Sequence, residues 1–195
     1  MTPLVLVHGF LGGCAQWNGQ RAAFSDAFHV IALDLPGFGT NAHLPVLKSI
    51  GAFADWVIGQ LRARKVTRYH LLGHSMGGMI AQEIARRDAA HVDRLVLYAT
   101  GAIGVLPGRF ETISQSKARA IADGARATAR RIAATWFGDH EASKGYETCA
   151  QIAEQASLDA QLAGLDAMEN WSGRGTLIRL ATETLVLWGD QDRTY

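Results

Sequence analysis

The sequence is poor in the features that mark secreted, membrane or nucleic-acid-binding proteins. Only two of its 195 residues are cysteine, and Cys14 and Cys149 form neither a disulfide framework nor a C-x-x-C pair. A net charge of +1 at pH 7 provides no basic stripe of the kind that nucleic acid requires. No apolar run approaches the length of a membrane span.

These absences exclude several classes of function. The chain enters an apolar run at residues 4–7, which leaves no room for a secretion signal before it. Cysteines and histidines do not cluster at metal-ligand spacing, so we expect no metal and no other cofactor. We therefore predict a cytoplasmic protein that acts on a small molecule and binds neither nucleic acid nor membranes. The composition does not predict an oligomeric state.

The sequence does contain enough apolar material for one core. Hydrophobic residues make up 48% of the chain, which suits a single globular domain of this length. Apolar runs of strand length alternate with helical patterns, as is typical of a parallel sheet flanked by helices. Strands are expected at 4–7, 29–33, 69–72, 94–99 and 184–189, and helices at 15–27, 49–64 and 76–87.

The alternation stops between residues 105 and 175, where alanine-rich helical segments are expected at 116–137 and 146–170. We interpret residues 105–175 as a helical cap inserted into a core domain formed by residues 1–104 and 176–195. The first part of this cap is basic. A solvated helix face explains the charge, and a handle for a substrate carboxylate is the alternative. The basic residues are Arg109, Lys117, Arg119, Arg126, Arg130 and Arg131.

The most informative stretch is residues 69–78, an apolar run that ends in Gly-His-Ser-Met-Gly-Gly and then becomes helical. It predicts a nucleophile elbow, a strand-to-helix turn that lifts the Ser75 hydroxyl clear of the sheet. Side chains two residues before and after the serine would collide with the neighbouring strand and helix, which explains Gly73 and Gly77. The alternative is a glycine-rich turn with an idle serine.

A second glycine-rich loop, at residues 8–13, follows the first strand directly. Such a loop can turn backbone N–H groups toward a small negative charge, and the N–H of Phe10 is the expected donor. A simple turn into the next helix is the alternative. Asp34, in the turn after the second strand, is expected to brace that turn through hydrogen bonds to nearby backbone rather than to act as a catalytic acid.

With these segments in order, the chain resembles the α/β-hydrolase superfamily. The resemblance spans nearly the whole chain. It is closest in character to bacterial small-molecule hydrolases with a helical cap, similar to 3-oxoadipate enol-lactonases and to hydrolases that cleave carbon–carbon bonds. The matching segments are the His-Gly loop at 8–9, the Asp-x-x-Gly-x-Gly turn at 34–39, the elbow at 73–78, the cap, and the Gly-x-x-Asp tip at 189–192.

The resemblance implies an α/β-hydrolase fold and assigns roles within it. Ser75 would attack a carbonyl carbon and would need a base, because a free hydroxyl is a poor nucleophile at neutral pH. The backbone N–H groups of Phe10 and Met76 would stabilise the oxyanion. Asp192 would orient the base, and Asp190 is the second choice for that role.

The chain departs from the family pattern in one respect. In this superfamily the histidine base follows the acid along the chain, but no histidine follows Asp192. His74 is excluded because the residue beside the nucleophile in so sharp a turn points elsewhere, and His8 belongs to the glycine-rich loop. We therefore expect a fragment without the last strand, the histidine loop and the closing helix. Such a fragment would be inactive or weakly active, with an exposed apolar sheet edge at 184–189.

The sequence thus predicts a serine hydrolase that cleaves a small-molecule ester or enol-lactone through an acyl-enzyme on Ser75. A lyase or carbon–carbon bond hydrolase is an alternative, because the His-Gly-Phe loop with Cys14 and Trp17 nearby also resembles the menaquinone-pathway synthase of this fold. A non-catalytic binding protein is another. Epoxide and haloalkane chemistry is disfavoured, since relatives with that chemistry carry aspartate at the position of Ser75. The fold alone does not decide the reaction.

Overall fold

A computed structural model describes residues 1–107 and 111–192 of the chain. These residues form one five-stranded sheet in the order β2-β1-β3-β4-β5, and each neighbouring pair is parallel. The strands are β1 Leu4–Val7, β2 Val30–Leu33, β3 Tyr69–His74, β4 Val92–Tyr98 and β5 Thr184–Leu187. The predicted fold class, a parallel sheet flanked by helices, is confirmed.

The helices of the described ranges lie on both sides of the sheet and between β4 and β5. They are α1 Asn18–Phe24, α2 Ile50–Ala63, α3 Met76–Arg87, α4 Ile113–Asp123, α5 Ala125–Ala134, α6 Tyr146–Ala153, α7 Leu158–Glu169 and α8 Arg174–Leu177. None of them is long and apolar enough to cross a membrane.

The two faces of the sheet are covered differently. On one face, Tyr69 and Leu71 of β3 join the main core together with the apolar stripes of α2 and α3. On the other face, Leu4 and Leu6 of β1 pack with Trp17 in a separate, smaller cluster. Because β1 is buried on both faces, its sequence is continuously apolar instead of alternating.

Local sequence signals place most element ends. Ser49 caps α2 as expected, since its side chain accepts a hydrogen bond of 3.1 Å from the Ala52 N–H. The two long helices expected between β4 and β5 are each divided. Gly124, with a φ of 80°, separates α4 from α5, and Ser157 caps a new helix at α7 by accepting from the Ala160 N–H. Periodicity alone did not reveal these breaks, because the apolar pattern continues across them.

β5 lies at one edge of the described sheet. Its apolar side chains are solvent-exposed, and Leu185 retains 53% of its accessible surface. The expected exposed apolar edge is therefore present in these residues. The expected strand tip is described only as far as Asp192, because Arg193, Thr194 and Tyr195 lie outside the described residues, as does Arg109 of the basic segment.

Candidate active site

Ser75 stands at the junction of β3 and α3, where the predicted elbow lies. Its backbone has φ 53° and ψ −121°, a combination that L-residues other than glycine rarely adopt and that stores about 1–3 kcal/mol of strain. The Ser75 N–H donates to the Tyr98 carbonyl at 3.0 Å, which ties the turn to the end of β4. Ser75 is half-buried and lies at the carboxyl end of the central strand β3.

Close backbone approaches explain the glycines on both sides of the serine. A Cβ at Gly73 would lie 2.2 Å from the Gly77 carbonyl oxygen, and a Cβ at Gly77 would lie 2.3 Å from the Val7 carbonyl oxygen. Both distances are far below van der Waals contact, and both neighbours are backbone atoms that cannot rotate away. Only glycine fits at these two positions.

The 8–13 loop lies against the elbow. A Cβ added to Gly9 would approach the Ser75 Cβ to 3.0 Å, so the two segments are in direct contact. Within the described residues, no hydrogen bond is found from the backbone N–H of Phe10 or of Met76. Met76 begins α3, where the first N–H groups have no partner inside the helix. The two segments that carry the Phe10 and Met76 N–H groups are thus in contact at Gly9 and Ser75.

His8 braces the 8–13 loop. It is fully buried; its Nε2 accepts from the Leu35 N–H at 3.0 Å, and its Nδ1 lies 2.8 Å from the Gly9 carbonyl oxygen. This pair of contacts requires a neutral ring with the proton on Nδ1. Burial lowers the pKa of His8, which stabilises the same form. Both ring nitrogens are occupied, so His8 is unsuited to take a proton from Ser75.

Asp34 connects the 8–13 loop to the turn after β2. Its carboxylate accepts hydrogen bonds from the Cys14 N–H at 2.6 Å and the Thr40 hydroxyl at 2.6 Å, and further bonds from the Cys14 thiol and the Thr40 N–H. Burial opposes ionisation, but these donors hold the pKa of Asp34 below its usual value. The expected brace is confirmed, and it extends to a second segment that sequence reasoning had not linked to Asp34.

Burial and the hydrogen bond to Asp34 keep the Cys14 thiol unreactive. Burial is the main cause that raises the pKa of the Cys14 thiol to about 11, and the hydrogen bond to Asp34 adds to it. Since the thiolate is the nucleophilic form, Cys14 is protonated at neutral pH. It serves here as a hydrogen-bond donor within the loop.

His74 and Asp192 lie at the same end of the sheet as Ser75. The His74 ring centroid is 5.0 Å from that of Tyr98 and 6.3 Å from that of Trp17. Burial lowers the pKa of His74 to about 4, although the Asp192 carboxylate acts in the opposite direction. Asp192 therefore lies close enough to the elbow to influence it electrostatically. The His74 ring packs between two aromatic rings, and a pKa of about 4 makes it a weak proton acceptor, so it is poorly suited to serve as a base.

Three other histidines contact their own local segments. His43 lies 3.1 Å from the Thr40 carbonyl oxygen, His91 lies 2.9 Å from the Asp88 carboxylate, and His140 lies 3.2 Å from the Ala134 carbonyl oxygen. His70 packs edge-on against Phe28. The Nδ1 atom of His70 is buried without a hydrogen-bond partner among the described residues.

The basic residues of the first helical segment are mostly engaged in ion pairs. Arg131 differs, because its Nε and Nη2 are buried without a hydrogen-bond partner in the described residues. Among the described residues, Arg131 is therefore the remaining candidate for binding a substrate carboxylate. The pairs are Lys117 with Asp166 and Glu169, Arg119 with Glu111, Arg126 with Glu154, and Arg130 with Glu147 and Glu154.

The two ends of the helical segment between β4 and β5 lie next to each other and contact α3. Its two ends meet in an antiparallel bridge between Ile103 and Ser172. The Trp171 indole N–H donates to the buried Glu83 carboxylate of α3 at 3.2 Å. The Gln82 amide donates to the Gly101 carbonyl at 2.9 Å. Both ends of the segment are thus attached to α3, the helix that follows Ser75.

Comparison with known proteins agrees with this architecture. The model of the alpha/beta hydrolase family matches residues 4–195, which is nearly the whole chain. The chain belongs to the alpha/beta hydrolase family.

Several hydrolases of known or assigned activity resemble this family member. The putative carbamate hydrolase RutD of Agrobacterium fabrum is 38% identical over 49% of this chain and 38% of its own length. The (E)-2-((N-methylformamido)methylene)succinate hydrolase of Acinetobacter baylyi is 30% identical over 95% of this chain and 56% of its own. The aligned part of this chain therefore spans 38% and 56% of the length of these two relatives.

A solved structure shares the fold of the whole chain. The enol-lactonase from Burkholderia xenovorans superimposes with a TM-score of 0.88 over 100% of this chain and 75% of that one, at 22% sequence identity. At that level of identity the agreement concerns the fold. The comparisons together establish membership of the alpha/beta hydrolase family, in which the two relatives described above are named as hydrolases.

Proposed function

We propose that this alpha/beta hydrolase cleaves a small-molecule ester or enol-lactone by acyl transfer to Ser75. The observation that carries the proposal is the strained backbone of Ser75 between β3 and α3. Strain of this kind persists only where the surrounding structure enforces it, and it is concentrated at functional sites. An idle serine in a glycine-rich turn would have no need of it.

In the proposed reaction the Ser75 Oγ bonds to the carbonyl carbon and its proton passes to a base. The C–O bond of the ester then breaks, and the leaving oxygen receives that proton. Water adds to the acyl-enzyme by the same route, releasing the acid and restoring the hydroxyl. The Phe10 and Met76 N–H groups would stabilise the oxyanion, and each such donor typically lowers the barrier by about 3 kcal/mol.

Asp192 is proposed to orient the base. Its support is its place at the strand end beside the elbow, where its charge reaches His74. His8 and His74 are poorly suited to be that base, because both nitrogens of His8 are hydrogen-bonded and the lowered pKa of His74 makes its ring a weak proton acceptor. The base can be identified experimentally. Each histidine is replaced in turn in the form of the protein that reacts with the probe, and the loss of activity is measured.

The test is labelling with a fluorophosphonate probe and turnover of p-nitrophenyl acetate. Both the 195-residue chain and the complete product of its gene are measured. We expect labelling of the competent form and its abolition in Ser75→Ala. Ser25→Ala is the matched control, because Ser25 is an exposed serine whose hydroxyl bonds to the Ala22 carbonyl. Failure of every form to label would favour a non-catalytic binding protein, and labelling that survives Ser75→Ala would contradict the assignment.

A further inference from the structure

Thr100 contacts the elbow from the end of β4. Its hydroxyl donates to the Ser75 carbonyl oxygen at 2.8 Å. Its side chain also lies against Gly78, where an added Cβ would be 2.5 Å from the Thr100 Cβ and Cγ2. Gly78 thus provides the space that lets the Thr100 hydroxyl reach the turn.

The Ser75 carbonyl that Thr100 binds belongs to the same peptide group as the Met76 N–H. This carbonyl also accepts from the Gly78 N–H at 2.8 Å and from the Met79 N–H at 3.3 Å. The two N–H donors lie in the first turn of α3, whereas Thr100 donates from the end of β4. Together the three donors fix the plane of that peptide and the direction of the N–H at its other end. Donation to a carbonyl also polarises the peptide, which makes its N–H a stronger donor.

Thr100 is itself held in place. The Gln82 amide donates to the carbonyl of the next residue, Gly101, at 2.9 Å. The preceding residue, Ala99, donates its N–H to the Leu187 carbonyl of β5 at 2.8 Å. The hydroxyl therefore reaches Ser75 from a segment fixed on both sides, as preorganised positioning requires.

From these contacts we infer that Thr100 is a positioning residue, which aims and polarises the Met76 N–H toward the oxyanion through the Ser75–Met76 peptide. This inference rests on the proposed function of Ser75. A hydroxyl that only filled space beside Gly78 could be replaced by a methyl group of the same size without effect. The positioning role predicts a loss that appears in kcat and leaves KM unchanged, because an oxyanion donor acts in the transition state.

The experiment compares Thr100→Val with Thr100→Ser in the form of the protein that Ser75 labels. Valine keeps the shape and removes the hydroxyl, and we expect kcat to fall roughly fivefold with KM unchanged. Serine keeps the hydroxyl, and we expect it to retain most of kcat. Thr135→Val is the matched control, because the Thr135 hydroxyl also donates to a backbone carbonyl, that of Ile132, but far along the chain at the end of α5.

A spectroscopic measurement separates positioning from general damage. The amide resonance of Met76 should shift in Thr100→Val and return toward its original position in Thr100→Ser, while Thr135→Val leaves it unchanged. An unchanged kcat and Met76 resonance in folded Thr100→Val would overturn the inference even if Ser75 is labelled. Failure of Ser75 to label in the unsubstituted protein would instead overturn the proposed function. Should the valine variant not fold, Thr100→Ala and Thr100→Ser provide the same comparison.

Discussion

The two segments that meet at Ser75 are held by different forces. The elbow is shaped by backbone packing, with Gly73 and Gly77 in contact with carbonyl groups of the neighbouring turn and strand. The 8–13 loop is held by polar side chains, chiefly His8 and the carboxylate of Asp34. Steric constraints do not depend on pH, whereas hydrogen bonds to an ionised group do. The comparison predicts that the two segments fail under different perturbations.

The steric side of the comparison gives the largest expected effect. Gly77→Ala would place a Cβ 2.3 Å from the Val7 carbonyl oxygen and 2.5 Å from that of His8. Neither backbone atom can move without disrupting β1, so we expect a loss of about 4 kcal/mol or more in the free energy of unfolding. Urea denaturation measures this loss.

Gly59→Ala is the matched control for this substitution. Gly59 lies within α2 and has no atom within 4 Å of an added Cβ, so alanine should stabilise the helix by about 0.5–1 kcal/mol. A tolerated Gly77→Ala would show that the elbow is not sterically constrained as described.

The pH dependence of stability gives the next effect. His74 has a pKa of about 4 in the folded protein against 6.5 when unperturbed, so the unfolded chain binds more protons between these values. The free energy of unfolding should therefore be highest above pH 6.5 and fall by about 3 kcal/mol as the pH decreases to 4.

His74→Phe should remove most of this decrease, because phenylalanine keeps the ring and cannot bind a proton. Chemical denaturation between pH 4 and 7.5 measures it. His43→Gln, at an exposed site, should keep the original slope. Equal slopes in His74→Phe and the unsubstituted protein would contradict the low pKa of the buried ring.

Removing the charge of Asp34 is expected to lower the free energy of unfolding by a smaller amount. Asp34→Asn replaces a carboxylate that accepts four hydrogen bonds with an amide that has one acceptor oxygen, leaving donors of Cys14 and Thr40 unpaired. We expect a loss of about 2 kcal/mol at pH 7, measured by urea denaturation. Because the folded pKa of Asp34 is depressed, its contribution is present above pH 4 and is lost as the pH falls through the folded value.

Asp26→Asn, at an exposed position, should change stability little. If Asp34→Asn and Asp26→Asn behave alike at pH 7, the carboxylate does not hold the 8–13 loop. A larger loss for Gly77→Ala than for Asp34→Asn would support the division between steric and charged constraints.

The strands and the elbow could be predicted because their causes are local in sequence. An apolar run of four residues such as Leu4–Val7 can be buried only in a few ways, and the glycines around Ser75 are required by that turn itself. Helix ends were harder to predict from the sequence. The breaks at Gly124 and Ser157 interrupt a continuous apolar pattern, and a helix cap can be recognised only from the conformation of the backbone.

Contacts between distant segments could not be predicted at all. Asp34 and Cys14 are 20 residues apart in the sequence but hydrogen-bonded in the structure. Nothing in the sequence around either residue indicates this contact. From the sequence, Thr100 is only the residue that follows a predicted strand. Its hydrogen bond to the Ser75 carbonyl depends on the register of β3 and β4.

The sequence by itself determined the parallel α/β class, the order of its elements and the turn at Ser75, because periodicity and steric exclusion operate over a few residues. The tertiary structure decided which groups brace that turn, which histidines are neutral and which arginines are paired. Those properties depend on burial and on partners brought together by the sheet, and both arise only when distant parts of the chain pack against each other.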